Sequence, residues 1–193
     1  MIYVNSHFDE IDLDAALPLL PEARRQKALA FRHELGRRQS VAAWLLLQQG
    51  CREVFGLDDV PAVAYGEHGK PYFPDHPNLH FNLSHCRTAV ACVVSHQPVG
   101  IDIENVRKFD NRLVRYVLSD EEYRVYAESP QPDLTFAQFW TRKESLLKLT
   151  GHGLVTDMKN VLKNRSEVSL ETVVPADQHY VYTVARYATP PVE

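Results

Sequence analysis

A strand that alternates isoleucine with carboxylate leaves a chain few choices. Residues Val99 to Val106 read Val-Gly-Ile-Asp-Ile-Glu-Asn-Val, which puts Ile101 and Ile103 on one face and Asp102 and Glu104 on the other. The apolar face requires a core, and the acidic face requires either water or a cation. Two carboxylates at alternate strand positions lie about 6.5 Å apart. At an effective dielectric near 20 they repel by roughly 2–3 kcal/mol, which a solvent-shielded site would have to offset. Magnesium suits such a place, because it takes few carboxylates, keeps several waters and binds phosphate oxygens. Taken alone, Asp-x-Glu reads more simply as a strand with one wet face.

A second segment changes that balance. Leu134 to Thr150 has helical spacing and is bounded by Pro132-Asp133 before it and Gly151 after it. Phe136, Trp140, Glu144 and Lys148 follow at four-residue steps, so an apolar stripe runs into a carboxylate and then an ammonium on about the same face. That order suits a helix entering a cleft. On an isolated helix it would be a surface Glu-to-Lys pair worth roughly a few tenths of a kcal/mol.

Composition excludes several classes. A chain of 193 residues is one domain or two small ones sharing an interface, with ample length for a core. Its 21 basic and 25 acidic residues give a net charge of −4, so no global positive field recruits nucleic acid or an anionic membrane. Any phosphate binding must be local. Cys51, Cys86 and Cys92 lack zinc-site spacing and cannot all pair within one chain, which reads as reduced thiols in a cytoplasmic protein. The N-terminus has no basic region leading an apolar stretch, as a secretory signal would, and the run from Val41 to Leu47 is too short to span a bilayer. His76 and His80 stand four apart, but Pro77 between them argues against a helical metal pair.

Along the chain, Met1 to Val4 reads as a strand, Pro21 to Glu34 as a helix, and Arg37 to Phe55 as a second helix with Val41, Trp44, Leu45, Cys51 and Phe55 as its buried stripe. Val60 to Tyr65 and Lys70 to Phe73 bracket a hairpin turn at Gly66 to Gly69. Leu79 to Leu83, Ala89 to Ser95 and Val99 to Glu104 are strands. Ser119-Asp120-Glu121-Glu122 fits a capping box opening a helix to Ala127, Ser129 to Asp133 is a loop, and Val168 to Val174 and Tyr180 to Tyr187 are closing strands. The fold class is α+β, helices then strands, twice, with two similar halves meeting near Pro98.

Gly-Ile-Asp-Ile-Glu followed some forty residues later by Trp140-Thr-Arg-Lys-Glu-Ser-Leu-Leu-Lys148 resembles the paired signature of the 4'-phosphopantetheinyl transferases of the broad-specificity, surfactin-synthetase-activating type. Gly69-Lys70-Pro71 and Asn82-Leu83-Ser84-His85 are similar to that family's upstream elements, in the same order, so the resemblance runs from Gly66 to Leu154. It implies two related α/β subdomains in a pseudo-twofold arrangement, residues 1–98 and 99–193, with coenzyme A held between them and the cleft complete in a monomer. The implied reaction moves the 4'-phosphopantetheine arm of coenzyme A onto a serine of an apo acyl, peptidyl or aryl carrier protein and releases adenosine 3',5'-bisphosphate.

By matching motif positions, Asp102, Glu104 and Glu144 are the expected Mg2+ ligands. Glu144 is also the expected base, directly or through a bound water, and Lys148 the cation that neutralises pyrophosphate. Lys70, Ser84 and His85 are expected to contact coenzyme A, the last two at its 3'-phosphate. Of the amino-terminal set Arg24, Arg25, Lys27, Arg32, Arg37 and Arg38, the expected phosphate contact is Arg38. Lys143 is the weaker lysine, because its neighbour position turns it away from Glu144. Where the family often has a serine after the histidine, this chain has Cys86. Arg107, Lys108, Arg112 and Arg115, interleaved with Phe109, Leu113, Val114 and Tyr116, are either a carrier-landing surface or a solvated amphipathic helix. The rival reading is a catalytically weak module that binds coenzyme A or carrier protein. A third, a different magnesium-dependent phosphoryl enzyme, loses its commonest nucleoside-triphosphate form, since the chain has no Gly-x-x-x-x-Gly-Lys-Ser/Thr loop.

Overall fold

The computed structural model describes residues 1–151, 153 and 157–188. Leu154, the far end of the resemblance, and residues 189–193, the end of the second expected half, lie outside the described residues. In chain order the elements are β1 (Ile2–Asn5), α1 (Leu13–Ala16), α2 (Glu22–Leu29), α3 (Glu34–Phe55), β2 (Ala64–Tyr65), β3 (Pro71–Tyr72), β4 (His80–His85), β5 (Val90–Ser95) and β6 (Val99–Asn105). There follow α4 (Asn111–Val117), α5 (Asp120–Glu128), α6 (Pro132–Thr150), β7 (Val168–Val173) and β8 (Tyr180–Tyr187). The fold is α+β: two antiparallel three-stranded sheets, β1-β5-β4 and β6-β8-β7, plus the small β2-β3 hairpin. No helix among the described residues is long and apolar enough to cross a membrane.

Alternation along the central strands builds the layers. Val90, Cys92 and Val94 of β5 pack with Ala42, Leu46, Leu47 and Cys51 of α3. The intervening Ala91 and Val93 pack instead with Val99, Ile101 and Ile103 of β6 and Val184 of β8. Beyond that second sheet, Leu146, Leu147 and Leu149 of α6 meet Ala185, Val168 and Leu170. The order is therefore α3, first sheet, second sheet, α6. Both long helices stop at a glycine in the left-handed conformation, Gly56 at φ 68° and Gly151 at φ 74°.

The acidic face of β6 looks toward α6 across a very short gap. A Cβ at Gly100 would lie 2.2 Å from the Ser145 carbonyl oxygen and 2.4 Å from the Leu149 backbone nitrogen. Helix α6 therefore rests on bare strand backbone at Gly100, and that contact sets Asp102, two residues along, against Glu144, next to Ser145. Gly100→Ala is expected to cost about 1–3 kcal/mol in denaturant unfolding, as overpacking against main chain does, and to lower transfer further by parting strand from helix. Unchanged unfolding would show that α6 can shift without strain.

The two sheets also meet at an edge. The strand edge of β6 that does not pair with β8 presents the Ile101 and Ile103 N–H groups to β4. There the Asn82 side-chain oxygen accepts from Ile101 at 2.9 Å and the Ser84 hydroxyl accepts from Ile103 at 3.3 Å. Side chains thus satisfy backbone groups that would otherwise be buried unpaired.

Several elements differ from expectation. The helix expected over Pro21 to Glu34 is shorter, and α3 begins at Glu34. Phe31 folds back so closely that a Cβ at Gly36 would sit 2.7 Å from its ring. Leu45, expected in the buried stripe of α3, is 39% exposed, and Ala42, Leu46 and Leu47 take the core face in its place. Only Ala64 and Tyr65 of the expected Val60–Tyr65 strand pair with a neighbour; Val60 and Val63 pack on the core without joining a ladder, around Pro61. Pro132 and Asp133, expected in a loop, form the first turn of α6, where the missing proline N–H costs nothing. The capping box at Ser119 and Glu122 is present in both directions.

Candidate active site

Strand β6 and helix α6 bring Asp102, Glu144 and Lys148 together. Asp102 is 6% exposed, and its Oδ1 accepts from the Lys148 ammonium at 2.6 Å and from the Ser84 hydroxyl at 2.9 Å. Lys148 also donates to Ser84 at 2.8 Å. The other Asp102 oxygen, Oδ2, and the Glu144 Oε1 are buried and have no hydrogen-bond partner among the described residues. Burial, and after it the charge of Asp102, push the Glu144 carboxyl above its usual range, with Lys148 pulling the other way. Glu104 is also raised, chiefly by burial with a smaller contribution from Asp102, although its Oε1 accepts from the Asn105 N–H and Arg107 lies near.

Unpartnered buried carboxylate oxygens need an explanation, and hard anionic donors of this kind suit a small divalent cation. Among the described residues no group of three acidic, histidine or cysteine side chains already encloses a metal position. Asp102 and Glu144 therefore fit as the protein's part of an open shell. Such a shell is what magnesium uses when water and substrate oxygens fill the rest.

The other expected residues divide. Ser84 is 7% exposed, and its hydroxyl accepts from Ile103 and Lys148 and donates to Asp102, which places it beside the carboxylates. His85, next on β4, is exposed at the rim of a cavity. Partial desolvation of the ring by the surrounding atoms, and after it the Lys148 charge, hold its pKa below the usual value, against Asp102. Lys70 donates to the Leu149 carbonyl at 2.9 Å, tying the β2-β3 hairpin to the C-terminal end of α6, where a cation also suits the helix dipole. Arg38 is not brought to the site. It pairs with Glu34 at 2.6 Å and donates to the Ile11 and Asp9 carbonyls, beside a separate surface depression lined by Asp9, Asp12 and Arg37.

The cavity that His85 borders has a volume of about 580 Å³. Trp44, Leu47, Val63, Phe81 and Leu83 are among its apolar lining, and Arg24, Lys27 and Ser40 supply polar groups. Arg24 donates to the Ser40 carbonyl at 2.6 Å and hydroxyl at 2.9 Å, lies 5.5 Å over the Trp44 ring, and keeps a buried Nε without a partner among the described residues. Lys27 donates to the Tyr65 hydroxyl. Arg24 and Lys27 are thus the amino-terminal cations nearest this site. Their signal in the sequence is a three-residue spacing on one face of α2.

Lys143 is fully buried and turned away from the cleft, as its position predicts. The basic segment after β6 forms a short helix, α4, capped by Asp110. Its arginines and Lys108 are exposed, but Phe109 and Val114 belong to the core, which leaves Tyr116, 50% exposed, as the aromatic on the outer face. The three cysteines are free and buried.

The profile of the 4'-phosphopantetheinyl transferase superfamily matches residues 98–188, the stretch that holds β6, α6 and the second sheet. A 4'-phosphopantetheinyl transferase of Bacillus subtilis is 28% identical over 177 residues, covering 88% of this chain and 79% of the relative. The 4'-phosphopantetheinyl transferase Sfp of Bacillus subtilis strain 168 is 26% identical across 98% of this chain and 86% of its own length. AcpT of Salmonella typhimurium, also a 4'-phosphopantetheinyl transferase by name, is 41% identical over 100 residues, about half of each chain. The acidic strand, the motif helix and these likenesses agree: the chain is similar to the 4'-phosphopantetheinyl transferase superfamily over its second half and to transferases of that name over most of its length.

Proposed function

We propose that this protein transfers the 4'-phosphopantetheine arm of coenzyme A to a serine hydroxyl of an apo acyl, peptidyl or aryl carrier protein, releasing adenosine 3',5'-bisphosphate. The observation that carries the reading is the meeting of Asp102, Glu144 and Lys148, with two buried carboxylate oxygens that have no partner among the described residues. The names of the relatives support the same chemistry.

The obstacle in this reaction is charge, since an oxygen nucleophile must approach a phosphorus flanked by anionic oxygens. Asp102 and Glu144, with Glu104 directly or through water, would hold Mg2+, which when bound supplies charge neutralisation and orientation of the pyrophosphate. Lys148 sits between Asp102 and Ser84 and adds a second positive charge for the pyrophosphate oxygens or the leaving group. Glu144, with its raised carboxyl, is suited to take the proton from the carrier serine as the new oxygen–phosphorus bond forms and the bond to the nucleotide phosphate breaks.

The cavity bordered by His85, with Arg24 and Lys27 in its lining, suits the nucleotide end of coenzyme A, and Lys70 retains donor capacity beyond its bond to Leu149. The two layered halves, residues 1–98 and 99–193, would act as paired subdomains closing the cleft within a monomer. The cytoplasm, where thiols stay reduced, suits the three free cysteines.

Incubation with coenzyme A, Mg2+ and a panel of apo carrier proteins, read by intact mass, tests the proposal. The expected result is addition of the arm to at least one carrier, abolished by chelation. Binding of coenzyme A without addition to any carrier would replace this reading with the binding-module one.

A further inference from the structure

We infer that Thr183 of β8 is a positioning residue: through Thr141 it fixes how far Glu144 stands from Asp102, and so sets how tightly this chain holds a divalent cation between the two carboxylates. The inference rests on the functional reading above and adds a residue behind that site.

The face of the second sheet that α6 covers carries one polar row between apolar neighbours. Along β8, Val181 packs with Phe136 and Ala137 of α6, and Ala185 with Leu146 and Leu149. Between them, Asp102, Thr183 and Thr172 stand opposite one another on β6, β8 and β7. Residues opposite each other in an antiparallel pair share a face, with Cβ atoms about 4.5–5.5 Å apart. Thr141 of α6 lies over this row, and both it and Thr183 are 0% exposed. Hydroxyls in so dry a layer need partners. The Thr183 hydroxyl lies 2.9 Å from that of Thr141 and 2.9 Å from that of Thr172.

Each hydroxyl has a single proton to give. Thr141 gives its proton to the Gln138 carbonyl at 3.2 Å, so toward Thr183 it accepts. Thr183 therefore donates to Thr141 and accepts from Thr172, and a directed chain runs from β7 through β8 into α6.

Thr183 is thus at once the register partner of Asp102 and the hydrogen-bond partner of Thr141, which lies one helical turn before Glu144. One turn after Glu144, Lys148 is held by its own bond to Asp102. The close contact of α6 with Gly100 limits how near the helix can come, but a repulsive contact does not stop it from lifting away. Two carboxylates facing each other push in that outward direction. The Thr141–Thr183 bond is the attraction that holds the turn before Glu144 down against the strand beside Asp102.

The test is calorimetric titration of Mg2+ into protein saturated with coenzyme A, with no carrier present and therefore no turnover. Thr183→Val is expected to weaken Mg2+ binding about tenfold, the low end of the range for groups outside the ligand shell. Thr183→Ser, which keeps the hydroxyl, is expected to restore it to most of the wild-type affinity. Thr141→Val combined with Thr183→Val is expected to bind no more weakly than either single variant, because one bond is lost only once. The denaturant midpoint of Thr183→Val should stay near that of wild type, since Thr141 keeps Gln138 as its acceptor and the half-buried Thr172 turns its proton to water. Unchanged Mg2+ affinity in Thr183→Val, an equal loss in Thr183→Ser, or additive losses in the double variant would overturn the inference. So would a loss of affinity that follows a fallen midpoint, which marks a merely structural residue, or a wild type that binds no Mg2+. The functional reading is read separately, by intact mass of the carrier: a wild type that binds Mg2+ but modifies no carrier sinks that reading, while weakened binding in Thr183→Val still upholds the positioning role.

Discussion

Glu144→Gln is expected to lose at least about a thousandfold in transfer rate, the range that a lost base together with a lost charged ligand commands, while its fold becomes no less stable at neutral pH. The two halves of that expectation share one cause. Glu144 Oε1 is buried without a partner among the described residues, and burial and Asp102 together disfavour its ionised form. A neutral isostere removes the strain of holding that charge and with it the chemistry that the charge provides.

The sign of the pH dependence follows from linkage. The folded state holds the Glu144 proton more tightly than the unfolded state, so this group's contribution to stability is present below its ordinary value of 4.5 and is lost as pH rises through the higher folded value. In chelator-treated protein the stability advantage of Glu144→Gln over wild type should therefore be small in acid, open as pH rises from 4.5, and level off above the folded value. Asp102→Asn should lose transfer to a similar degree but, unlike Glu144→Gln, lose stability, because it weakens a partly buried pair with Lys148. Near-normal turnover in either variant would sink the proposed reaction.

What could be read in the sequence was what depends on local period and local chemistry. Strand β6 and helix α6 were legible because a period of two and a period of about four each placed the acidic residues on one side. The end of α3 at Gly56 and the capping box at Ser119 have equally local causes. The small rotation that exposes Leu45 was not legible, since a stripe shifted by one position still looks amphipathic in isolation. The contacts of Ser84 are not legible for a different reason: its partners Asp102 and Lys148 lie 18 and 64 residues away and are brought to it only by the packing of β6 and α6 against β4. The placement of the amino-terminal cations is equally non-local. Arg38 follows Glu34 by one helical turn and pairs with it, whereas Arg24 and Lys27 point to a cavity whose other walls come from β3, β4 and α3.

Lys143→Met is expected to be the most destabilising single change near the site, by about 3–5 kcal/mol, as breaking a buried ion pair commonly costs. In a chain of this size that corresponds to a fall of roughly 6–20 °C in Tm. The Lys143 side chain is 0% exposed, and its ammonium gives all three protons away, to the Val117 carbonyl at 2.7 Å, Glu122 Oε2 at 2.6 Å and the Met158 carbonyl at 2.9 Å. It joins the end of α4, the capping box of α5 and the segment after α6. Methionine fills much of the volume but leaves the Glu122 carboxylate and two carbonyls without their donor. Lys143→Met combined with Glu122→Gln should recover part of the loss, because the glutamine keeps the cap on Ser119 and removes the stranded charge. A stable Lys143→Met with impaired transfer would instead place this lysine in the chemistry. Consecutive positions on a helix lie about 100° apart, so with Lys143 anchored in the core beneath α4 and α5, its neighbour Glu144 is turned out toward Asp102. The buried pair is thus what fixes the direction in which the Glu144 carboxylate points, and a Lys143→Arg variant, longer and forked, should disturb Glu144 more than its preserved charge suggests.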